Sequence, residues 1–464
     1  MRGTVSLSLL ASALVVNAMA ADSLESMFKE GKASGQLRAF YIDRAYNYND
    51  STSEYSRDGL SVGGYLKYET ASLNGLSAGA AFYTTNKLDS KSSVSKENDA
   101  TLFGPNGNNE SYLGEAYLQY KYGNTAFKAG RQKLDTPLAG QDDARMLPSL
   151  FEAYVLSNTD VKDTTLIAAY VTKFAAGTFA NAYTFSDATS GGNTAANRAK
   201  NAAAQTLALT SGYSGVFDAT NMVGNFTNMG QYAIGQNTNG VSVAAAIYSG
   251  VPGLKLQVWD YYAQDILNAV YAEANYGFSM ANGIAPYCGV QYIKEDNIGS
   301  DYVGNVNSDF IAAKLGVKVG NFDVYGAMSH NSSDDSATIN GGTITPWGGM
   351  PAYTQGMVTR HQFMAGADAW KVAGTYNFKD MGANMTASVY YASFDVDGHF
   401  DGSGNMVSYT NGKTTEPGFD LIWNPEAVKN LQLRFRGNFP DKFKNTATTD
   451  TSWDEYRFIA NYNF

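Results

Sequence analysis

The 464-residue chain carries one cysteine, three histidines and few charges, with Asp, Glu, Lys and Arg making up 16% of it. A lone thiol, Cys288, forms no intramolecular disulfide, so the fold holds without staples. The histidines are His330, His361 and His399. All lie in or near predicted loops, where they read as solvated side chains. His330-Asn-Ser332 is no triad, because triads are assembled by fold geometry rather than by adjacency. No His/Cys spacing suggests zinc. Asp334-Asp335 and Asp395-Val-Asp397 lack a calcium-loop pattern. Gly348-Gly349 does not lead from a strand into a helix, so no phosphate loop is supported. The chain therefore reads as a non-enzyme without a cofactor or metal. A net charge of −10 argues against nucleic acid as a partner. Beyond residue 20 there is no apolar run long enough for a spanning helix. There is also no linker, charge block or composition shift to mark a domain boundary.

What is abundant is tyrosine (32) and glycine (47). The chain ends on Trp453-Asp-Glu-Tyr-Arg-Phe-Ile-Ala-Asn-Tyr-Asn-Phe464, which alternates with period two. Phe464, Tyr462, Ala460, Phe458 and Tyr456 share one face; Asn463, Asn461, Ile459, Arg457 and Glu455 share the other. Such alternation marks a strand between two different solvents. A final strand that stops on Phe has the form of the closing strand of a bacterial outer-membrane barrel, the signal read by the barrel assembly machinery. The N-terminus agrees. Arg2, the apolar stretch Val5–Val16 and Ala18-Met19-Ala20 have the form of a secretory leader cleaved after Ala20. Residues 1–20 are thus expected to be a signal peptide, and residues 21–464 one outer-membrane β-barrel domain.

The rest divides into about eighteen alternating segments of about ten residues, the first near 34–44 and the last near 452–464. Such a length lets a tilted strand cross a bilayer. Short turns such as Asn74-Gly75, Val251-Pro-Gly253, Gly320-Asn321 and Lys379-Asp-Met-Gly382 alternate with long polar stretches at 45–59, 87–110, 133–150, 175–239, 331–364 and 396–414. This asymmetry predicts an all-β transmembrane antiparallel barrel with short periplasmic turns and long extracellular loops. A further hairpin, 205–212 with 216–225, leaves sixteen or twenty strands open. Patterning begins near residue 34 with no plug domain before it, which argues for passive diffusion.

Gly130-Arg-Gln132, Thr136-Pro137, Asp142-Asp-Ala-Arg145 and Leu147-Pro148 before Phe151-Glu152 resemble the strand and constriction-loop region of OprD-type substrate-specific porins. The stretch from Tyr248 to Tyr271, with Val251-Pro-Gly-Leu254 and Trp259-Asp-Tyr-Tyr262, is similar to a second region of that family. So is Thr345-Pro-Trp-Gly-Gly349. The resemblance runs from about residue 34 to Phe464. It implies an eighteen-stranded barrel that passes small anionic or zwitterionic solutes, often carboxylates or basic amino acids, along a ladder of basic side chains. The long stretch 175–239 departs from the compact form of the family.

Parity propagated from Phe464 turns Arg457 inward. In the preceding strand Leu431, Leu433, Phe435, Gly437 and Phe439 point outward, and Arg434 and Arg436 inward. In the first strand Arg38 and Arg44 alternate with Leu37, Ala39 and Tyr41. Arginine facing lipid would cost about 2–4 kcal/mol at mid-membrane, so these five read as one lumenal wall on three adjoining strands. They form either a relay of weak anion sites or a brace paired to acidic loop residues, and the two roles can coexist. Lys128, Lys314, Lys318 and Lys371 also have lumenal parity. Residues 133–150, with Asp135, Asp142, Asp143 and Arg145, are the candidate constriction loop. Tyr68, Tyr120, Trp259, Tyr261, Tyr262, Trp370 and Trp423 are expected in interfacial girdles. The expected function is passive, partly selective diffusion of small hydrophilic solutes such as carboxylates, amino acids or small peptides. The alternatives are a general porin, a barrel adhesin and an outer-membrane enzyme. Its expected partners are those solutes and outer-membrane lipid, with the chain as a monomer or homotrimer.

Overall fold

The computed structural model describes residues 21–48, 55–88, 97–179, 223–278, 280, 283–349, 351–397, 411–445 and 450–464. The expected leader, residues 205–222 of the possible extra hairpin, and His399 lie outside the described residues.

Eighteen long strands follow one another: β1 (Lys32–Tyr48), β2 (Tyr55–Glu69), β3 (Leu76–Lys87), β4 (Glu110–Tyr122), β5 (Thr125–Gln132), β6 (Leu150–Asn158), β7 (Thr164–Ala175), β8 (Val241–Tyr248) and β9 (Leu254–Ala263). The second half comprises β10 (Leu267–Gly277), β11 (Ile284–Asp296), β12 (Asn307–Val319), β13 (Phe322–Asn331), β14 (Asp368–Asn377), β15 (Met385–Val396), β16 (Gly412–Trp423), β17 (Leu431–Asn438) and β18 (Asp450–Asn463). Each pairs antiparallel with its neighbour in sequence. β1 closes the ring on β18, with Leu37 opposite Tyr462, Ile42 opposite Arg457 and Arg44 opposite Glu455. Closure leaves no strand edge to satisfy in lipid. No helix among the described residues is long and apolar enough to cross a membrane.

Short turns gather at the end that holds both chain termini, the periplasmic end of such a barrel. At Asn74-Gly75 the two central residues have φ of 50° and 89°, and Leu73 and Leu76 exchange backbone hydrogen bonds of 2.8 and 2.9 Å. That two-residue turn needs positive φ twice, which Asn tolerates and Gly adopts freely. Beside it the short helix α1 (Leu24–Lys29), capped by Ser23, buries Met27 against Ala71. Six residues are too few to show a helical period, so the sequence carries no sign of it.

The outer face carries Leu37, Leu66, Leu118, Val258, Leu315, Val372 and Phe458, all exposed. The packed core is inside the barrel. There the loops 133–149, 223–240 and 332–367 fold in and bury Leu138, Trp347, Val358 and Phe363 against the wall residues Phe151, Trp259, Tyr261 and Phe310. Helix α2 (Met229–Ile234) sits among them, and its Met229 carbonyl accepts a 3.2 Å bond from Trp347 Nε1.

Two expectations are corrected. Trp259 and Tyr261 are buried inside and not in a girdle, because Val258 and Tyr262 take the outward positions of β9. Tyr68, Tyr120, Tyr262, Trp370 and Trp423 are exposed on the outside as expected. His361 is not a solvated loop residue either. The loop that bears it packs into the lumen, and the ring is fully buried against Phe443 (4.7 Å between centroids) and Phe394. His330 is exposed at the rim, with Nδ1 2.9 Å from Asp368.

Candidate functional site

All five wall arginines lie on the inner face, because their strand neighbours Leu37, Phe458 and Tyr456 point out. They fall into two groups. Arg38, Arg44 and Arg457 are buried in an acid-paired network. Arg38 grips Asp143 with two bonds of 2.6 and 2.9 Å and donates to Asn461 at 2.9 Å. Arg44 donates to Glu455 Oε2 at 3.0 Å and to the Tyr46 hydroxyl at 2.8 Å. Arg457 bonds Glu455 Oε1 and donates to Asn438 at 2.6 Å. Arg434 and Arg436 are partly exposed and share one carboxylate, Asp420, with Arg436 Nε 3.3 Å from it.

The loop 133–150 is fastened to this wall. Its Arg145, fully buried, donates to Glu455 Oε1 at 3.1 Å and to Thr101 Oγ1 at 3.0 Å. Its Asp143 takes Arg38, and its Asp142 accepts 3.1 Å from Arg360 of the loop 332–367. Asp99 completes the buried cluster, with Oδ2 3.5 Å from Arg44. Burial alone would push the Asp99 carboxyl up, but Arg44, Arg145 and Thr101 hold it below the ordinary carboxylate range. Asp135 makes no ion pair among the described residues. Burial raises its pKa, with the Gln141 side chain opposing.

Asp135, Gln141, Asp142, Asp143, Gly348 and Gln355 line a polar cleft of about 380 Å³ between the two inward loops. The loops join edge to edge: Gly140 N–H donates to the Trp347 carbonyl at 3.0 Å. A Cβ at Gly349 would overlap the backbone of Pro137 and Leu138, so only glycine allows this contact.

The structure thus joins Arg38, Arg44, Arg457 and the loop residues Asp143 and Arg145 in one network, ties Asp142 to Arg360, and sets Arg434 and Arg436 apart on Asp420, while Asp135 stands apart on the cleft. The lysines Lys128, Lys314 and Lys371 sit on other walls, each over a tyrosine ring. Lys318 pairs with Asp323 at 3.4 Å. Sequence reasoning missed the partners. Glu455 shares the parity of Arg457, and Asp420 sits opposite Arg436, so strand periodicity could have found both. Asp99, Thr101 and Arg360 reach the network from long loops and have no such signal. Among the described residues no group of three or more His, Cys, Asp or Glu could hold a metal ion.

A family model described as outer membrane porin, OprD family, matches residues 25–217 and 217–464. Comparison with curated proteins finds no match. Among solved structures, OccK9 (OpdG) of Pseudomonas aeruginosa is similar with a TM-score of 0.70 at 18% identity, covering 95% of this chain and 99% of that one. OpdK of the same organism, crystallised with vanillate, gives 0.69 at 15% identity over 94% and 99%. OccK5 (OpdH), also from that organism, gives 0.68 at 16% identity over 95% and 99%. At these identities the likeness is one of fold.

Proposed function

Since the chain belongs to the OprD family of outer membrane porins, we propose that it is a selective channel for small solutes bearing a negative group, such as carboxylates, amino acids or small peptides. The observation that carries this reading is the charge balance of the wall. Among the described residues, Arg38, Arg44, Arg145, Arg434, Arg436 and Arg457 form ion pairs with Asp99, Asp143, Asp420 and Glu455. Six guanidiniums against four carboxylates leave positive charge to spare, and the partly exposed pair Arg434 and Arg436 is where a passing anion would meet it. A guanidinium stays charged and offers two parallel donors to a carboxylate. Sharing one aspartate keeps each site weak, as conduction requires. The buried part of the wall has the other role: Arg38, Arg44, Arg145 and Arg457 fasten the constriction loop. The cleft beside Asp135 narrows the path and presents a negative edge to dipolar solutes. The terminal strand ending on Phe464 serves as the assembly signal.

The experiment is single-channel recording in a planar bilayer with competitors. Acetate and zwitterionic amino acids at millimolar levels are expected to lower or interrupt the chloride current, and an uncharged sugar of equal size is not. Equal effects of all three would refute selectivity for negative groups. A silent protein that hydrolyses lipid or peptide would refute the channel.

A further inference from the structure

The outer face of the barrel dips where the ring closes. Ala39 of β1 stands directly opposite Ala460 of β18, and directly opposed residues share a face. Leu37 and Phe458, two positions away on the same strands, are exposed, which puts both alanines on the lipid side. The next row toward the extracellular end is large: Tyr41 lies opposite Phe458, and Phe458 opposite Phe435 of β17. The next row toward the periplasm is large as well, with Leu37 opposite Tyr462. To one side Ala460 meets Leu433, and Leu433 meets Trp423 of β16. Two methyl groups ringed by long side chains leave a hollow of about 410 Å³.

The walls of this hollow are apolar and stiff. Phe435 and Phe458 stack with 4.3 Å between ring centres, and Phe458 lies 6.5 Å from Tyr41. Aromatic side chains have two torsions each and lose little freedom when something packs on them. Arg434, between Leu433 and Phe435, sends its guanidinium into the lumen, where Nε donates to Asp420 at 2.7 Å. The depth follows from the chain end. Ala460 is four residues before the periplasmic terminus Phe464, about 14 Å along the strand and less across a tilted one. Half of a hydrocarbon core is about 15 Å thick, so the hollow lies in the periplasmic leaflet. Toward the other leaflet the same face turns acidic, with Asp43 directly opposite Asp58, which repels phosphate.

We propose that this hollow holds one acyl chain of a periplasmic-leaflet phospholipid, seated on Ala39 and Ala460 and kept longer than the lipid around the rest of the barrel. Lipid tails gain no hydrophobic free energy by leaving other tails, so the preference comes from van der Waals contact with a preformed surface. A flexible chain follows the hollow, whereas a second barrel presents a convex wall that spans the surrounding side chains without reaching the alanines. The bound chain bridges β1 and β18, the two strands that close the ring.

Tryptophan fluorescence tests this. Of the five tryptophans, Trp423 borders the hollow, Trp370 lies on the lipid face of β14, and Trp259, Trp347 and Trp453 are buried. A phospholipid with brominated chains, which quench an indole on contact, is added stepwise to the detergent-solubilised protein. Trp370→Phe isolates Trp423 on the lipid face, and Trp423→Phe isolates Trp370. Trp423 is expected to quench in a saturable phase at about one lipid per barrel and at about tenfold lower lipid than Trp370, the equivalent of about 1.4 kcal/mol. Ala460→Phe fills the hollow and is expected to remove that phase while leaving conductance at the wild-type level. Ala39→Phe does the same from the neighbouring strand and covers the case in which the first variant fails to assemble. Parallel quenching of Trp423 and Trp370 would overturn the proposal, as would filled variants that keep the early phase. So would a sedimenting dimer or trimer that shields Trp423 from the brominated chains, since a second copy would then occupy the hollow.

Discussion

Replacing Glu455 by Gln probes the join between the barrel wall and the inward loop 133–150. Glu455 is fully buried. Its two oxygens accept from Arg44 at 3.0 Å, from Arg145 at 3.1 Å and from Arg457. Glutamine keeps the volume and one acceptor but turns an amide toward a guanidinium and removes the carboxylate that all three arginines share. Asp99, 3.5 Å from Arg44, is then the nearest remaining counter-charge. Removing one partner of a buried pair costs about 3–5 kcal/mol. With Glu455 and its three arginines all buried, the expected loss is at least about 3 kcal/mol. Urea unfolding in lipid vesicles, followed by tryptophan fluorescence, reads that loss directly. Because Arg145 belongs to the inward loop 133–150, proposed to narrow the channel, the same variant should also show a noisier, larger single-channel conductance. A stability within about 1 kcal/mol of wild type, together with unchanged conductance, would refute the idea that this carboxylate fastens the loop.

Two further outcomes are expected. Burial pushes the His361 imidazole down to about 3 from an ordinary 6.5, so the unfolded chain takes up this proton first as the medium acidifies. The stability present above pH 6.5 is therefore lost progressively between about 6.5 and 3, on the order of 5 kcal/mol in full. His361→Phe should flatten that part of a urea-midpoint-against-pH curve, and an unchanged slope would count against the buried neutral ring. Gly349→Ala forces its Cβ onto the backbone of Pro137 and Leu138. It should separate the two inward loops, at about 1–3 kcal/mol, and raise the conductance, whereas wild-type conductance would show that the loop junction does not limit flow.

The barrel was legible because a strand between lipid and lumen must alternate, and the chain writes that alternation residue by residue. Phe464 sets the parity, and Arg457, Arg436, Arg434, Arg44 and Arg38 follow from it by counting. Counting does not reach the interior. Asp99, Thr101 and Arg360 arrive from long loops whose path is set by tertiary packing, so the brace around Glu455 could not be read. The same limit explains His361, which sits in a polar stretch but is covered once that stretch folds into the lumen. Trp259 and Tyr261 show a subtler failure. Aromatics near strand ends suggest girdles, yet β9 alternates, and parity at Val258 already turned both of them inward.

The most direct measurement is the zero-current potential of the wild-type channel across an about tenfold potassium chloride gradient, repeated with Arg434→Ala combined with Arg436→Ala. Surplus positive charge on the lumenal wall predicts a potential of the sign set by chloride, moving toward zero in the double variant while the barrel stays folded. A wild-type potential set by potassium, or one that the double variant leaves unchanged, would contradict it.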